Sequence, residues 1–124
     1  MRTRYEYRGG ILLAEMIERE TAEETAQFVQ GMFAALRQHE ANKVLISVVN
    51  SRSLFKVEDW NLSAAVEAIK AIPGFRVAFV ADSKEVSMSQ EYICVLLSQR
   101  GVEGRAFPSM DKARAWLTST SSSH

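Results

Sequence analysis

The hydrophobic pattern at the start of the chain predicts a β-hairpin. Residues 3–8 alternate in polarity, and residues 11–17 form a second, more apolar run. Alternation with a period of two is typical of a half-buried strand, and the glycine pair between the runs is a tight-turn signal. On the first strand the rings of Tyr5 and Tyr7 then share one face.

A helical period replaces this alternation after residue 20. Thr21 and Glu24 have the spacing of a capping box, in which the hydroxyl accepts from the Glu24 amide and the carboxylate reaches back. Apolar residues then recur at intervals of three and four, which predicts an amphipathic helix to about residue 40. These residues are Phe28, Val29, Met32, Phe33 and Leu36.

The segment at 44–49 is apolar almost throughout and rich in β-branched residues. Such a run suits a central strand that is covered on both faces.

A second helix is predicted after a polar stretch at 50–53. Glu58 and Asp59 supply the negative charge that favours a helix N-terminus. A Pro-Gly pair at 73–74 ends this helix. Its inward residues are Leu62, Ala65, Val66 and Ile69.

The rest of the chain continues the succession of strands and helices. Residues 75–81 form a largely apolar strand, and Ser87 with Gln90 offers a capping box for a helix through Leu97, which Gly101 stops. A short strand at 102–107 and a final helix capped by Ser109 complete the pattern. The inward residues of that helix are Met110, Ala113, Trp116 and Leu117.

The predicted element order is therefore β-β-α-β-α-β-α-β-α. Strands that alternate with helices pair in parallel through right-handed crossovers, and the N-terminal hairpin adds an antiparallel strand. We predict an α/β fold with a single mixed, mostly parallel sheet and helices packed on it. Residues 1–118 form one domain, and the Ser-rich tail at 119–124 is predicted to be disordered because it has nothing to bury.

Parts of this pattern resemble a known family. They are the element order, the strand at 44–49 with its polar loop and helix, and the segments Arg-Ala-Phe at 105–107 and Ala-Arg-Ala-Trp-Leu at 113–117. Over residues 4–118 the chain resembles the SpoIIAA-like branch of the STAS family (sulfate transporter and anti-sigma-factor antagonist domains), which is grouped with Sec14-type lipid-binding folds. The resemblance implies a regulatory domain that binds a protein partner, with a serine after the central strand that a kinase phosphorylates. Asn50 departs from the Asp-Ser pair usual there.

Composition narrows the function classes. The 124 residues carry 15 Lys and Arg against 15 Asp and Glu, so the chain lacks the basic excess of a non-specific nucleic-acid binder. No apolar run approaches the roughly 18 residues of a membrane span. With a single cysteine, Cys94, the chain forms no internal disulfide, and we expect a cytoplasmic protein.

Recognisable catalytic and cofactor motifs are missing from the sequence. It has no Gly-rich phosphate loop, no dinucleotide fingerprint, no zinc-protease motif and no Cys-x-x-Cys pair. Of its two histidines, His39 ends a predicted helix and His124 ends the chain. We therefore expect no catalytic residue, no metal and no cofactor, and predict a protein that is not an enzyme.

Polar residues follow two strands at the edge where the carboxyl ends of parallel strands meet. Ligands bind at this edge in open α/β sheets, and helix N-termini there attract anions. The residues after the first strand, Asn50, Ser51, Arg52 and Ser53, are therefore candidates for a phosphorylated serine or an anion site, although turns and caps explain the same residue types. Asp82 and Ser83, after the second strand, are candidates for a partner or ligand surface.

Apolar residues outside the predicted core mark a candidate partner or ligand surface. Trp60 points away from the inward stripe of its helix, and it either folds under Phe55 and the apolar residues beside it or anchors a partner. The first reading is favoured.

The helix predicted from residue 87 carries more apolar surface than one buried face requires. Its inner face is predicted to hold Tyr92, Ile93, Leu96 and Leu97. Met88, Cys94 and Val95 widen the apolar arc of this helix. We favour a cover from within the chain, and the alternative is that another subunit or an apolar ligand covers the arc. Since Cys94 has no basic neighbour, an inert buried thiol is predicted.

These observations favour a non-enzymatic regulatory or protein-interaction domain. It would present the loops at 50–60 and 82–90 to a protein partner, or associate with itself as a homodimer. The alternative is a small domain that binds a lipid or another apolar molecule in a Sec14-like manner, between the helices around Trp60, Val95 and the sheet.

Overall fold

The computed structural model describes residues 1–51 and 62–119. Over these residues the chain forms nine elements in the order β-β-α-β-α-β-α-β-α, which confirms the predicted fold class. They are β1 (Arg2–Arg8), β2 (Ile11–Ile17), α1 (Ala22–His39), β3 (Lys43–Val49), α2 (Leu62–Lys70), β4 (Arg76–Ala81), α3 (Lys84–Gln99), β5 (Glu103–Phe107) and α4 (Met110–Thr118).

The strands form one mixed sheet in the order β1-β2-β3-β4-β5. β1 pairs with β2 in antiparallel fashion, and the three remaining pairs are parallel. Parallel neighbours need a crossover, and α1, α2 and α3 supply the three crossovers. The ends of β2, β3, β4 and β5 therefore lie along one side of the sheet, which we call the carboxyl edge.

The two faces of the sheet have separate cores. Right-handed crossovers that all step in the same direction place their helices on the same face, and α1, α2 and α3 share one core with that face. α4 covers the other face. In β3 the neighbours Leu45 and Ile46 are both buried, one in each core, which confirms the prediction of a central strand covered on both sides.

The first strand is fastened to α1 by a tyrosine. The Tyr5 hydroxyl donates to the carbonyl of Phe28 at 2.7 Å, and the two rings stack with centroids 5.8 Å apart. A Cβ atom at Gly31 would overlap the Tyr5 hydroxyl. The missing side chain at Gly31 is therefore what lets the Tyr5 ring lie against the helix.

Helix α1 begins as the sequence predicts. The Thr21 hydroxyl accepts from the Glu24 amide at 3.2 Å, and a Glu24 carboxylate oxygen accepts from the Thr21 amide at 3.2 Å. The amide of Glu20 also donates to that carboxylate, and this bond is the main reason that the pKa of Glu24 lies below its usual value. The capping box at Thr21 is confirmed.

Helix α3 begins earlier than predicted, so the capping box at Ser87 is wrong. The cap is Ser83, whose hydroxyl accepts from the Val86 amide at 3.2 Å. The Ser87 amide donates to the Ser83 carbonyl at 3.0 Å, a bond of the kind made inside an α-helix. The Asp82 carboxylate, the first acceptor side chain after β4, instead accepts from the Asn50 amide, and Ser83 follows it as the next residue that can cap a helix.

The predicted end of α3 is confirmed. Gly101 has a φ of 80°, and its amide donates to the Ser98 carbonyl at 3.1 Å. The Val102 amide donates to the Leu97 carbonyl at 2.9 Å. This pair of bonds is the Schellman motif, which uses a glycine at the left-handed position.

None of the helices in the described parts of the chain is long and apolar enough to cross a membrane. The predicted disordered tail falls almost wholly on residues 120–124, which lie outside the described residues.

We predict that Gly31→Ala lowers the free energy of unfolding by about 1 to 3 kcal/mol, because the added methyl group displaces the Tyr5 ring. In a Tyr5→Ala background the same substitution should instead be neutral or stabilising by up to about 1 kcal/mol, since alanine is the better helix former. Urea unfolding of the four proteins in this cycle measures both effects. A cost at Gly31 that is the same in both backgrounds would contradict the account.

Candidate functional site

The carboxyl edge brings together three of the connections that follow strands. The Ser51 hydroxyl, after β3, accepts from the backbone amide of Arg19, after β2, at 3.0 Å, and donates to the Val49 carbonyl at 3.0 Å. The Asn50 amide donates to both carboxylate oxygens of Asp82, after β4, at 3.0 and 3.2 Å. Asn50, Ser51 and Asp82 therefore lie in one network, as expected for residues at this edge.

Local hydrogen bonding accounts for most of this network. Asn50 has a φ of 47°, in the left-handed region that asparagine adopts more readily than most residues. Ser83 caps α3, and the Asp82 carboxylate occupies the Asn50 amide that an incoming anion would need. A phosphoryl group on Ser51 would remove the hydrogen that this hydroxyl donates to Val49.

Four of the predicted site residues, namely Arg52, Ser53, Phe55 and Trp60, lie outside the described residues. The phosphorylation or anion site at Ser51 and Ser53 stays a prediction, as does the cover or anchor role of Trp60.

A cavity of about 90 Å³ lies between the sheet and helices α1, α2 and α3, on the face of the sheet that these helices cover. One water needs roughly 10–15 Å³ of such volume, so the space is large enough for a small organic molecule. The described residues that line it are apolar apart from Arg19, Thr25, Ser89 and Gln90. Among the apolar lining residues are Phe28, Met32, Ile69, Phe79, Ile93 and Leu97.

One polar group of the cavity is a buried guanidinium. Arg19 is only 8% exposed, and its Nη1 donates to the Thr25 hydroxyl at 3.3 Å. Burial lowers the pKa of Arg19, and the nearby negative charge of Glu24 opposes this. The loop after β2 thus brings a positive charge to the cavity wall.

The second polar group is the side-chain amide of Gln90, in the middle of α3. Gln90 is 3% exposed, and its Nε2 donates to the Val80 carbonyl at 3.1 Å. Its Oε1 is buried and has no hydrogen-bond partner within the described part of the protein. A buried acceptor left in this state costs stability, so it marks a place where a donor is missing.

The polar and apolar parts of the cavity wall lie at different ends. Arg19 follows the carboxyl end of β2, and Val80, which holds Gln90, is the last but one residue of β4. Phe75 and Leu97 line the opposite end, where β4 begins and α3 finishes. The cavity is therefore polar towards the carboxyl edge and apolar towards the other side of the sheet.

The sequence did not identify this site. Gln90 was assigned to a cap, and neither Arg19 nor Thr25 stood out among the polar residues. The one signal in the sequence is spacing, because Val86, Gln90, Ile93 and Leu97 recur at intervals of four, three and four. That spacing places Gln90 on the inner face of α3, where a glutamine needs partners.

The favoured prediction, that the apolar arc of α3 is covered within the chain, is wrong, and the alternative that another subunit or a ligand covers it stays a prediction. Tyr92, expected on the inner face, is 55% exposed, and Met88 and Val95 are 60% and 53% exposed. These three residues form a stripe opposite Gln90, which we call the outer stripe. The face of α3 that packs on the sheet carries Val86, Gln90 and Leu97. This orientation buries both aliphatic side chains and allows Gln90 to donate to the Val80 carbonyl.

Cys94 lies between the inner face and the outer stripe and is half-buried. Burial raises the pKa of its thiol to about 11, and Glu91 adds to the effect. The thiol is protonated at neutral pH, which agrees with the prediction of an inert cysteine. Within residues 1–51 and 62–119, no group of three or more His, Cys, Asp or Glu side chains is arranged to hold a metal ion.

We predict that Ser51→Ala lowers the free energy of unfolding by about 1 to 2 kcal/mol, since it removes an acceptor from Arg19 and a donor to Val49. Ser98→Ala, at an exposed position of α3, is the control and should change stability by less than about 0.5 kcal/mol. Chemical denaturation measures both. If the two substitutions had equal effects, the hydroxyl of Ser51 would not hold the carboxyl edge together.

Comparison with known proteins adds no identification. No protein-family model matches the chain, and no curated protein matches it. What the protein does is therefore argued from its own cavity, edge and surface.

Proposed function

We propose that this domain is a binding module that holds a small, largely apolar molecule in the cavity between α1, α2, α3 and the sheet. The observation that carries the proposal is the cavity itself, with apolar walls and a few polar groups near one end. Ligand pockets in proteins have this composition, in which apolar surface gives affinity and a few polar groups orient the ligand. The proposal takes up the apolar-ligand alternative drawn from the sequence, but at a different place, because Val95, expected beside that ligand, lies on the outer stripe.

Binding without catalysis is the role that the chemistry of the wall supports. Among the described lining residues, Arg19 alone carries an ionisable side chain, and a guanidinium keeps its proton at physiological pH. The other polar lining groups are two hydroxyls and an amide, on Thr25, Ser89 and Gln90. None of these is a general acid or base of the usual kind.

We expect p-xylene, an apolar probe of suitable size, to bind to the folded protein and raise its melting temperature by an amount that grows with the logarithm of the p-xylene concentration above Kd. Ile93→Phe, which places a larger side chain in the cavity, should abolish this shift. Val95→Phe, two residues along α3 on the outer stripe, is the matched control and should leave it unchanged. Calorimetric or fluorescence melts of the three proteins measure the effect.

Absence of any shift with p-xylene would contradict the proposal, as would a shift of equal size in both variants. Should Ile93→Phe fail to fold, titration of the natural chain followed by amide chemical shifts provides the same test. Perturbed amides must then belong to residues that line the cavity.

The outer stripe supports a second candidate function, the protein-interaction role implied by the STAS resemblance. Met88, Tyr92 and Val95 expose a continuous apolar strip along α3. Exposed apolar strips with an aromatic residue near the centre are common at protein interfaces. This candidate includes self-association as a homodimer.

If the outer stripe mediates self-association, the natural chain should sediment as a dimer at about 100 µM, and Tyr92→Lys should return it to the monomer. Ser98→Lys, on an exposed polar part of the same helix, is the charge-matched control and should leave the dimer intact. Sedimentation equilibrium measures the masses. A natural chain that is monomeric at this concentration would contradict the homodimer.

A further inference from the structure

Aromatic and sulfur-containing side chains are concentrated around the cavity. We infer that the ligand is an aromatic ring compound, which the phenylalanine and methionine side chains of the wall select over a saturated ring of the same volume. This inference rests on the proposed function, because it names the chemical class of the molecule in the same cavity. It adds a preference that burial of apolar surface alone does not produce.

Phenylalanine rings line the cavity from the helix side and from the sheet side. Phe28 and Phe33 come from α1. Phe79 comes from β4, and Phe75 directly precedes that strand. All four belong to the core on this face of the sheet or pack against it, and the whole chain has only six phenylalanines. A flat molecule between α1 and the sheet therefore has phenylalanine on both sides.

Aromatic rings attract one another through their uneven charge distribution. The face of a ring is slightly negative and its edge slightly positive, so two rings prefer edge-to-face or offset contacts. A saturated ring has no such polarity and gains only dispersion from the same phenylalanine side chains. Each aromatic contact strengthens binding by about twofold to tenfold beyond the effect of the buried area.

The Phe28 ring is held in place by the rest of the protein. It stacks on Tyr5, with ring centroids 5.8 Å apart and planes inclined by 21°, and it is 2% exposed. The bond from the Tyr5 hydroxyl to the Phe28 carbonyl fastens this pair. A side chain fixed in this way has little conformational freedom to lose when a ligand binds, so an ordering cost does not offset its contact with the ligand.

Two methionines add to the same preference. Met16 in β2 and Met32 in α1 both line the cavity and are 3% and 4% exposed. A thioether makes favourable contacts with aromatic rings, with the sulfur about 5 Å from the ring. Methionine is also unbranched and adapts to irregular shapes, so both side chains can pack against a flat molecule.

The experiment compares p-xylene with methylcyclohexane by calorimetric titration of the natural chain. The two molecules have nearly the same volume, and methylcyclohexane is the more apolar, so burial alone makes methylcyclohexane the tighter ligand. With phenylalanine and methionine as partners, we expect p-xylene to bind at least about twofold more tightly than methylcyclohexane.

Phe79→Leu, which removes one ring from the sheet side of the cavity, should lower this ratio of affinities by at least about twofold. Leu97→Val is the matched control, because it removes a similar volume from the same lining without removing a ring. It should leave the ratio unchanged. The comparison in the natural chain stands by itself if either variant does not fold.

The outcomes separate this inference from the function on which it rests. If p-xylene binds but is favoured over methylcyclohexane by less than about twofold, the aromatic inference is overturned and the binding module stands. A folded Phe79→Leu protein with the same ratio as the Leu97→Val protein also overturns it. If p-xylene does not bind, the proposed function itself fails.

Discussion

The direction of the crossovers is the constraint on which the rest of the structure depends. The strands follow one another across the sheet in chain order, so each parallel connection steps the same way. Right-handed connections of this kind place α1, α2 and α3 on one face and leave α4 to cover the other. Three helices of different lengths, side by side on a twisted sheet, meet above β3 and β4, and the cavity lies where they meet.

That arrangement gives Gln90 its significance. A glutamine on the inner face of a crossover helix must find partners within the core, and the Val80 carbonyl supplies only one. The Oε1 atom of the same amide is buried and has no hydrogen-bond partner within the described residues. A core selected only for stability would place an aliphatic side chain here, because it would fill space and leave no acceptor unsatisfied. Gln90 also lines the cavity that we propose as a binding site.

The carboxyl edge has a different character. Its polar residues bind one another, with the Ser51 hydroxyl and the Asp82 carboxylate each accepting from a neighbouring backbone amide. These bonds hold the ends of three strands together, and the neighbouring Ser83 caps α3. The edge thus supports the cavity, since the loop that it fixes carries Arg19.

Much of the fold was predictable, because it depends on local patterns. The continuous apolar run of β3, the capping box at Thr21 and the stop at Gly101 each express a short-range preference that the structure satisfies. The start and rotation of α3 were not predictable in the same way. Ser83 and Ser87 could each cap the helix. Its apolar arc includes Tyr92 and Val95 as well as Leu97, so the pattern does not specify which half of the arc faces the sheet.

The cavity could not be predicted from the sequence, because a cavity depends on how three helices pack together and not on the pattern of any one helix. Gln90 and Arg19 are polar residues that sequence patterns assign to surfaces, and only their burial makes them informative.

A crystal structure of the natural chain with p-xylene tests the central claim most directly. The account predicts the ring inside the cavity between α1, α2, α3 and the sheet, with the bond from Gln90 Nε2 to the Val80 carbonyl retained. A ring bound elsewhere on the protein, or a cavity that stays empty at saturating p-xylene, would contradict it.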